Sequence, residues 1–336
     1  SREKVMAAIP KLEALIKEVI AKGEVPGLSI AIVHQDEVVY LNGFGLREMG
    51  KPETVDPDTV FQLASLSKPI SSTVVAALVS DGLVTWDSRV ADLLPSFQLH
   101  DPYPTAQVTL RDLFAHRSGL PGDAGNDLEA IGFDRTVILH RLRLVPPSSS
   151  FRAGYSYSNM GITAGAVAAA AGNGKSWEAT AAERLYDPLG MTATSSGHAD
   201  FVSRTNRAAL HIKPDGTWQA RLKRDADAQA PAGGVSSSAR DLAQWLRLEL
   251  GKGKYEGRQL IAEEAIAETH VPLMTRGDNP VTGSASFYGL GWNVEFGRYG
   301  LMWGHAGAFS VGARTLVSIY PKSDLGLIIL SNAFPT

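Results

Sequence analysis

The sequence predicts an α+β protein in which strands from both ends of the chain build one antiparallel β-sheet, flanked by helices, around an inserted and mostly helical lobe. Three observations carry this. An amphipathic helical pattern opens the chain, short apolar runs rich in β-branched residues cluster before residue 43 and after residue 288, and helical periodicity dominates the stretch between them.

Each element follows from local pattern. Val5 to Ala21 sets Ile9, Leu12, Leu15, Ile16, Val19 and Ile20 at helical spacing, and Gly23 closes the segment. Leu28 to Val33 and Val38 to Asn42 read as strands joined through His34-Gln35-Asp36-Glu37, an early hairpin. Helical patterns follow over Val74 to Ser80, Thr109 to Ala115, Ile162 to Ala171, Trp177 to Tyr186 and Ala239 to Leu250, with joints rich in proline and glycine between them. Strand patterns resume over Gly291 to Phe296, Gly300 to Trp303, Arg314 to Tyr320 and Leu325 to Leu330. The reading is one domain over 1–336, with an α/β lobe over roughly 1–64 and 251–336 and a helical lobe over roughly 65–250.

Composition excludes several functions. With 44% hydrophobic and 20% charged residues, the 336-residue chain has material for a large core. Its net charge of −3 comes from interspersed signs, without the basic stripe that a nucleic acid partner needs. There is no cysteine, which removes thiol nucleophiles, zinc-thiolate sites and disulfides. No apolar run is long enough to span a bilayer, and no signal peptide is visible at the start. The eight histidines include no His-x-x-x-His pair, so no metal or cofactor is expected. The Gly-x-Ser-x-Gly elbow of α/β-hydrolases is also absent.

Three short motifs carry chemistry. In Ser65-Leu66-Ser67-Lys68 a helix is expected to begin at Ser65, because Pro69 is tolerated only in a first turn, and Lys68 then projects from the same face as Ser65. A desolvated lysine beside a serine hydroxyl is able to take its proton, whereas Ser67 points to another face. Tyr157-Ser158-Asn159 lies on a loop between Gly154 and a helix start at Gly161-Ile162, where a phenol and an amide share proton handling and hydrogen bonding. His305-Ala306-Gly307 sits on or beside a strand at which small residues allow close backbone approach, and the next residue, Ala308, offers an oxyanion-holding N–H. Each motif alone has a plainer structural reading: a capping serine with a surface lysine, a packed tyrosine with a capping asparagine, and a half-buried histidine in a turn.

In this order Ser65-x-x-Lys68, Tyr157-x-Asn159 and His305-x-Gly307 resemble the serine β-lactamase and penicillin-binding-protein superfamily, in its class C-like branch. The similarity extends over Thr59 to Lys68, Leu113 to Pro121, Asp187 to Met191, Pro231 to Leu242 and Tyr288 to Trp292, which look like segments of CubicO-type hydrolases. The resemblance implies a β-lactamase/DD-peptidase-like fold and a small-molecule or peptide substrate with an ester or amide bond. It implies acylation of Ser65, with Lys68 and Tyr157 as base and then acid. The backbone N–H groups of Ser65 and Ala308 would hold the oxyanion, and Asn159 would orient Lys68 and the acyl group. Asp123 falls where this branch often places a substrate-facing residue. Tyr155, His211, Trp218 and Phe309 are further pocket candidates. A catalytically silent binding or scaffolding relative is the competing reading.

The sequence departs from the family pattern in three places. His305-Ala306-Gly307 stands where lactamases and many carboxypeptidases have Lys-Thr-Gly, so a fixed cation gives way to a titratable imidazole, which points away from an efficient lactamase and toward an esterase, amidase or D-aminopeptidase-like enzyme. Ala153-Gly154 replaces a usual Pro-Gly. The chain stops soon after the last strand, where relatives usually continue into a C-terminal helix.

Overall fold

The computed structural model describes residues 1–336, and eight strands form its main sheet. They are β1 (Gly27–His34), β2 (Glu37–Gly45), β3 (Met274–Asp278), β4 (Ala285–Tyr288), β5 (Asn293–Gly297), β6 (Gly300–Phe309), β7 (Ala313–Tyr320) and β8 (Leu325–Ser331). Their order is β2-β1-β8-β7-β6-β5-β4-β3, antiparallel throughout, so the two ends of the chain meet where β1 pairs with β8. The hairpin between β1 and β2 turns through Gln35 and Asp36, both at positive φ (54° and 61°), the backbone of a two-residue turn whose twist suits the flanking strands.

Alternation decides what each face of the sheet buries. All eight residues of β1 are buried. Ala31 and Val33, with Ile328 and Leu330 of β8, join the main core and meet helix α4 (Ala239–Leu250). Leu28 and Ile30, with Leu327 and Ile329, turn the other way and pack with Leu12, Ile16, Val19 and Ile20 of helix α1 (Arg2–Ala21). The main core holds 59 buried residues drawn from the sheet and the helical segments alike, including Val74 and Leu78 of α2 (Ser67–Ser80) and Ile162 and Ala166 of α3 (Asn159–Gly172). Both helices are buried on nearly every face, as suits helices enclosed by neighbours. No helix is long and apolar enough to cross a membrane.

Two expectations are corrected. Strands β3 and β4 begin before residue 288, ahead of the first strand pattern read after β2; β3 is an edge strand whose Thr275, Arg276, Gly277 and Asp278 are exposed, so no apolar alternation marks it. The α-helix begins at Ser67, preceded by a separate 3₁₀ turn over Ala64–Leu66, because Ala64 adopts φ +49°, outside the right-handed helical region.

Candidate active site

From Thr59 to Leu78 every residue is buried except Ser65. The short turn that precedes α2 therefore presents one hydroxyl to solvent out of an otherwise closed segment. Ala64, fully buried at φ +49°, holds the turn in a conformation that disfavours side chains by about 1–2 kcal/mol. Such strain persists only where surrounding packing enforces it.

Lys68 is fully buried one turn below. Its Nζ lies 2.9 Å from Ser65 Oγ, 2.8 Å from Asn159 Oδ1 and 2.9 Å from the Ala232 carbonyl oxygen. No carboxylate pairs with it, and burial holds the amine well below the ordinary lysine pKa. A neutral amine has two hydrogens and one lone pair. The two carbonyl oxygens take the hydrogens, which leaves the lone pair for the Ser65 hydroxyl.

Tyr157 and Asn159 arrive at the same point from the start of α3. The helix begins at Asn159, two residues earlier than expected, and Ser158 caps it by accepting from Gly161 N at 3.1 Å. The cap turns Asn159 Oδ1 toward Lys68, while Asn159 Nδ2 donates to Asn126 Oδ1 at 3.5 Å. The Tyr157 ring sits 4.5 Å from Lys68 Nζ. Burial raises its phenol well above the ordinary tyrosine value, partly offset by a hydrogen bond with Ser65. Tyr157 is thus a neutral phenol in contact with the hydroxyl, not a phenolate.

The third motif closes the site from β6. A Cβ on Gly307 would stand 2.2 Å from the Leu63 carbonyl oxygen and 2.9 Å from Leu66 N, so only glycine lets the strand pass this close to the Ser65 turn. Thr315, paired with Gly307 across β6 and β7, donates from Oγ1 to the same Leu63 carbonyl at 2.7 Å. Ala308 is exposed on the strand directly after Gly307. His305, expected to be titratable near neutrality, is buried and its pKa is pushed down to about 3, chiefly by desolvation. Its ring is fixed at both nitrogens: Nδ1 donates to Ala306 O at 2.7 Å and Nε2 accepts from Tyr288 at 3.0 Å. It is a neutral, hydrogen-bonded wall of the site.

Of the remaining predicted residues, Tyr155 and Phe309 lie around this centre, Asp123 stands at its edge, and the other two do not join it. Tyr155 packs 5.5 Å from the Tyr288 ring, and Phe309 lies 5.2 Å below the Arg224 guanidinium. Asp123 is exposed, and its contribution is a backbone carbonyl that accepts from Asn126 N at 2.9 Å. His211 is buried elsewhere, binding Met49 N at 3.0 Å and the Asn332 carbonyl at 3.0 Å. Trp218 covers the small core under α1 and donates to the Gly23 carbonyl at 2.9 Å. Polar surroundings disguised both as pocket residues.

Several contributors carry no motif signal. His116, buried at φ +56°, accepts from Ser158 N through Nδ1 at 3.0 Å and packs 4.6 Å from the Tyr157 ring, which sets the loop that delivers Tyr157 and Asn159. Tyr288 and Asn126 act through His305 and Asn159 as described. Arg276 on β3 donates to Asn293 Oδ1 at 2.8 Å, lies 5.8 Å from the Tyr155 ring and forms no ion pair. Its charge acts on Tyr155, Tyr157, Tyr288, His116 and His305 together, which makes it the free cation of the site's outer edge.

The chain was compared with known proteins and solved structures. The chain is 28% identical over 325 residues to penicillin-binding protein 4 of Amycolatopsis lactamdurans, covering 92% of this chain and 81% of that protein. It is 25% identical over 337 residues to an unguisins hydrolase of Aspergillus campestris, covering 95% of this chain and 60% of that one, and it spans a similar share, 62%, of protein flp from Staphylococcus aureus at 21% identity. The chain thus corresponds to about three-fifths of the length of these last two relatives. Its fold matches the octameric penicillin-binding protein homologue from Pyrococcus abyssi with a TM-score of 0.78 at 22% identity, over 97% of this chain and 74% of that one. The family model described as Beta-lactamase matches residues 12–336, nearly the whole chain, and the protein belongs to that family.

Proposed function

We propose that this protein is a serine hydrolase that forms an acyl-enzyme on Ser65 and cleaves an ester or amide bond in a small molecule or peptide. The observation that carries it is the fully buried Lys68 amine, without a counter-charge, 2.9 Å from the hydroxyl of Ser65, the one residue in the segment that is not buried.

In this reading Ser65 Oγ attacks the substrate carbonyl carbon as its proton passes to Lys68 Nζ. The tetrahedral oxyanion is held by the backbone N–H groups of Ser65 and Ala308. Collapse breaks the bond to the leaving group, which takes a proton relayed from Lys68 through the Tyr157 hydroxyl. Water then attacks the acyl-enzyme with the same groups in reverse order and frees the acid. Asn159 fixes the amine and faces the acyl group. Asp123, exposed and tied in through Asn126, stands at the rim of the substrate cleft. The neutral His305 offers a substrate carboxylate no charge, which favours esters and amides over β-lactams as good substrates.

The test is a hydrolysis panel of short-chain p-nitrophenyl esters, D-amino-acid amides, D-Ala-D-Ala peptides and nitrocefin, with Ser65→Ala as blank, joined to mass spectrometry after fluorophosphonate treatment. Turnover that disappears in the blank and a mass adduct on Ser65 are expected. Folded protein that gives neither is a silent binding relative, and the proposal fails.

A further inference from the structure

A well-formed cleft lies away from Ser65, which does not line it. A cavity of about 360 Å³ lies between the segment that follows β2, residues 198–210 and the extended strip 220–224. That volume is within the usual range for small-molecule sites. The cavity has an apolar side, formed by Phe201, Leu210 and Leu222, and a strongly basic one.

Its charge runs against that of the whole protein. Six cations line it against only Glu48 and Glu53, in a chain whose net charge is −3. Two of the cations are already matched, Lys51 by Glu48 at 2.8 Å and Arg224 by Glu129 at 2.7 Å. Arg47, Arg207, Arg221 and Lys223 form no ion pair. Arg47 is held in place by donation from Nη1 to the Thr205 carbonyl at 3.2 Å, yet its Nε is buried with no acceptor. Unpaired like charges around one concavity repel one another, and a bound anion removes that repulsion while gaining directed hydrogen bonds from the guanidinium groups.

We propose that this cleft is a binding site for a small organic anion carrying at least two phosphate or carboxylate groups on a partly apolar body. Binding here bears on the candidate active site through two contacts. Gln62, three residues before Ser65, lines the cleft and donates from Nε2 to the Arg224 carbonyl at 2.7 Å. The Arg224 side chain in turn lies over Phe309, the residue after Ala308, and is paired with buried Glu129. A ligand that orders the strip 220–224 therefore fixes one wall of the Ser65 cleft. The site does not depend on Ser65 chemistry.

Titration calorimetry at low ionic strength, on full-length Ser65→Ala protein with pyrophosphate and citrate as probes, tests the site and leaves the hydrolase reading untouched. Saturable 1:1 binding of at least one probe is expected, weakened about tenfold in Arg221→Gln/Lys223→Gln, whose side chains are exposed and whose loss leaves the fold intact, and weakened again in Arg47→Gln. Preference for pyrophosphate assigns phosphate groups, and preference for citrate assigns carboxylates. Absence of saturable binding at millimolar probe overturns the proposal. So does an equal loss from Lys4→Gln/Lys11→Gln on α1, because that result reports general surface charge and not this cleft.

Discussion

Tyr288 donates its hydroxyl hydrogen to His305 Nε2 at 3.0 Å, and this single bond decides the character of the third motif. With Nδ1 committed to Ala306 O, the imidazole needs a donor at Nε2, and both side chains are buried. The ring is a neutral structural element where a lysine-bearing motif would place a charge. Tyr288→Phe leaves a buried acceptor unpaired and is expected to lower stability by about 1–3 kcal/mol in urea denaturation. A change of only a few tenths would show that the bond does not hold the ring.

Lys68 predicts the pH dependence of acylation. Burial lowers its pKa well below that of free lysine, and in the proposed reaction the neutral amine is the form that takes the Ser65 proton. kcat/KM for an activated ester is therefore present above the apparent pKa of the coupled Lys68–Tyr157 pair and is lost as pH falls through it. Lys68→Met is expected to cost at least about 10²-fold, and Lys68→Arg no less, since a guanidinium does not deprotonate. A rate that is flat from mildly acidic to mildly alkaline pH, or an active Lys68→Arg variant, contradicts the assignment.

Ala64 predicts an inversion of the usual alanine-to-glycine cost. At φ +49° the methyl group is strained, so Ala64→Gly trades about 1–2 kcal/mol of relief against about 0.8 kcal/mol of lost methyl burial and leaves stability within about 1 kcal/mol of the parent. The same change at buried Ala76 inside α2 gains no relief and is expected to cost about 1–2 kcal/mol. Equal losses at both positions in thermal denaturation would show that the turn before Ser65 is unstrained.

Gly307→Ala should be severe for a different reason. Its Cβ meets backbone, the Leu63 carbonyl at 2.2 Å, and not a flexible side-chain end, so β6 or the Ser65 turn has to move. Loss of about 10²-fold or more in ester turnover is expected, because a displacement near 1 Å costs that much at a positioned nucleophile. A variant with near-parent activity would mean that the strand and the turn are not held together during catalysis.

What the sequence disclosed and what it hid follow physical lines. Ser65 and Lys68 are legible because one helical turn fixes their separation, and Tyr157 and Asn159 because a capped helix start presents them. The sheet was legible where it is central, since β1 and β8 are continuous apolar runs, and illegible at β3, where exposure removes the alternation. The state of His305 was hidden because its partner Tyr288 sits on a different strand. His116, too, joins the site through tertiary contact, and nothing near it in the chain reports its positive φ or its bond to Ser158. His211 and Trp218 misled because aromatic and imidazole side chains within polar stretches look alike whether they line a cleft or seal a core.

Beneath α2 a second buried pair predicts a pH signature in stability. Glu249 is fully buried with no lysine or arginine partner; its Oε1 accepts from Thr73 on α2 at 2.5 Å, and Trp245 Nε1 donates to Thr73 Oγ1 at 3.0 Å. Its Oε2 lies 3.4 Å from Nε2 of His270, whose ring is stacked 3.7 Å from that of Trp303. Desolvation pushes the Glu249 carboxyl up from 4.5 to about 7 and the His270 imidazole down from 6.5 to about 3. The raised carboxyl makes the folded state lose stability as pH rises from about 4.5 through 7, because the native state holds a proton that the unfolded chain releases. The depressed histidine acts in the opposite direction: stability is lost as pH falls below 6.5 toward 3, because only the unfolded chain takes up that proton. Between pH 4.5 and 6.5 the two slopes cancel. Glu249→Gln keeps the acceptor for Thr73 and removes one slope, so its stability relative to the parent should rise by about 2–3 kcal/mol from pH 4.5 to 6.5, whereas His270→Phe should fall by a similar amount. Urea denaturation of parent and variants at both pH values cancels titrations common to all three. Parallel behaviour of all three would mean that neither group is held in its neutral form beneath α2.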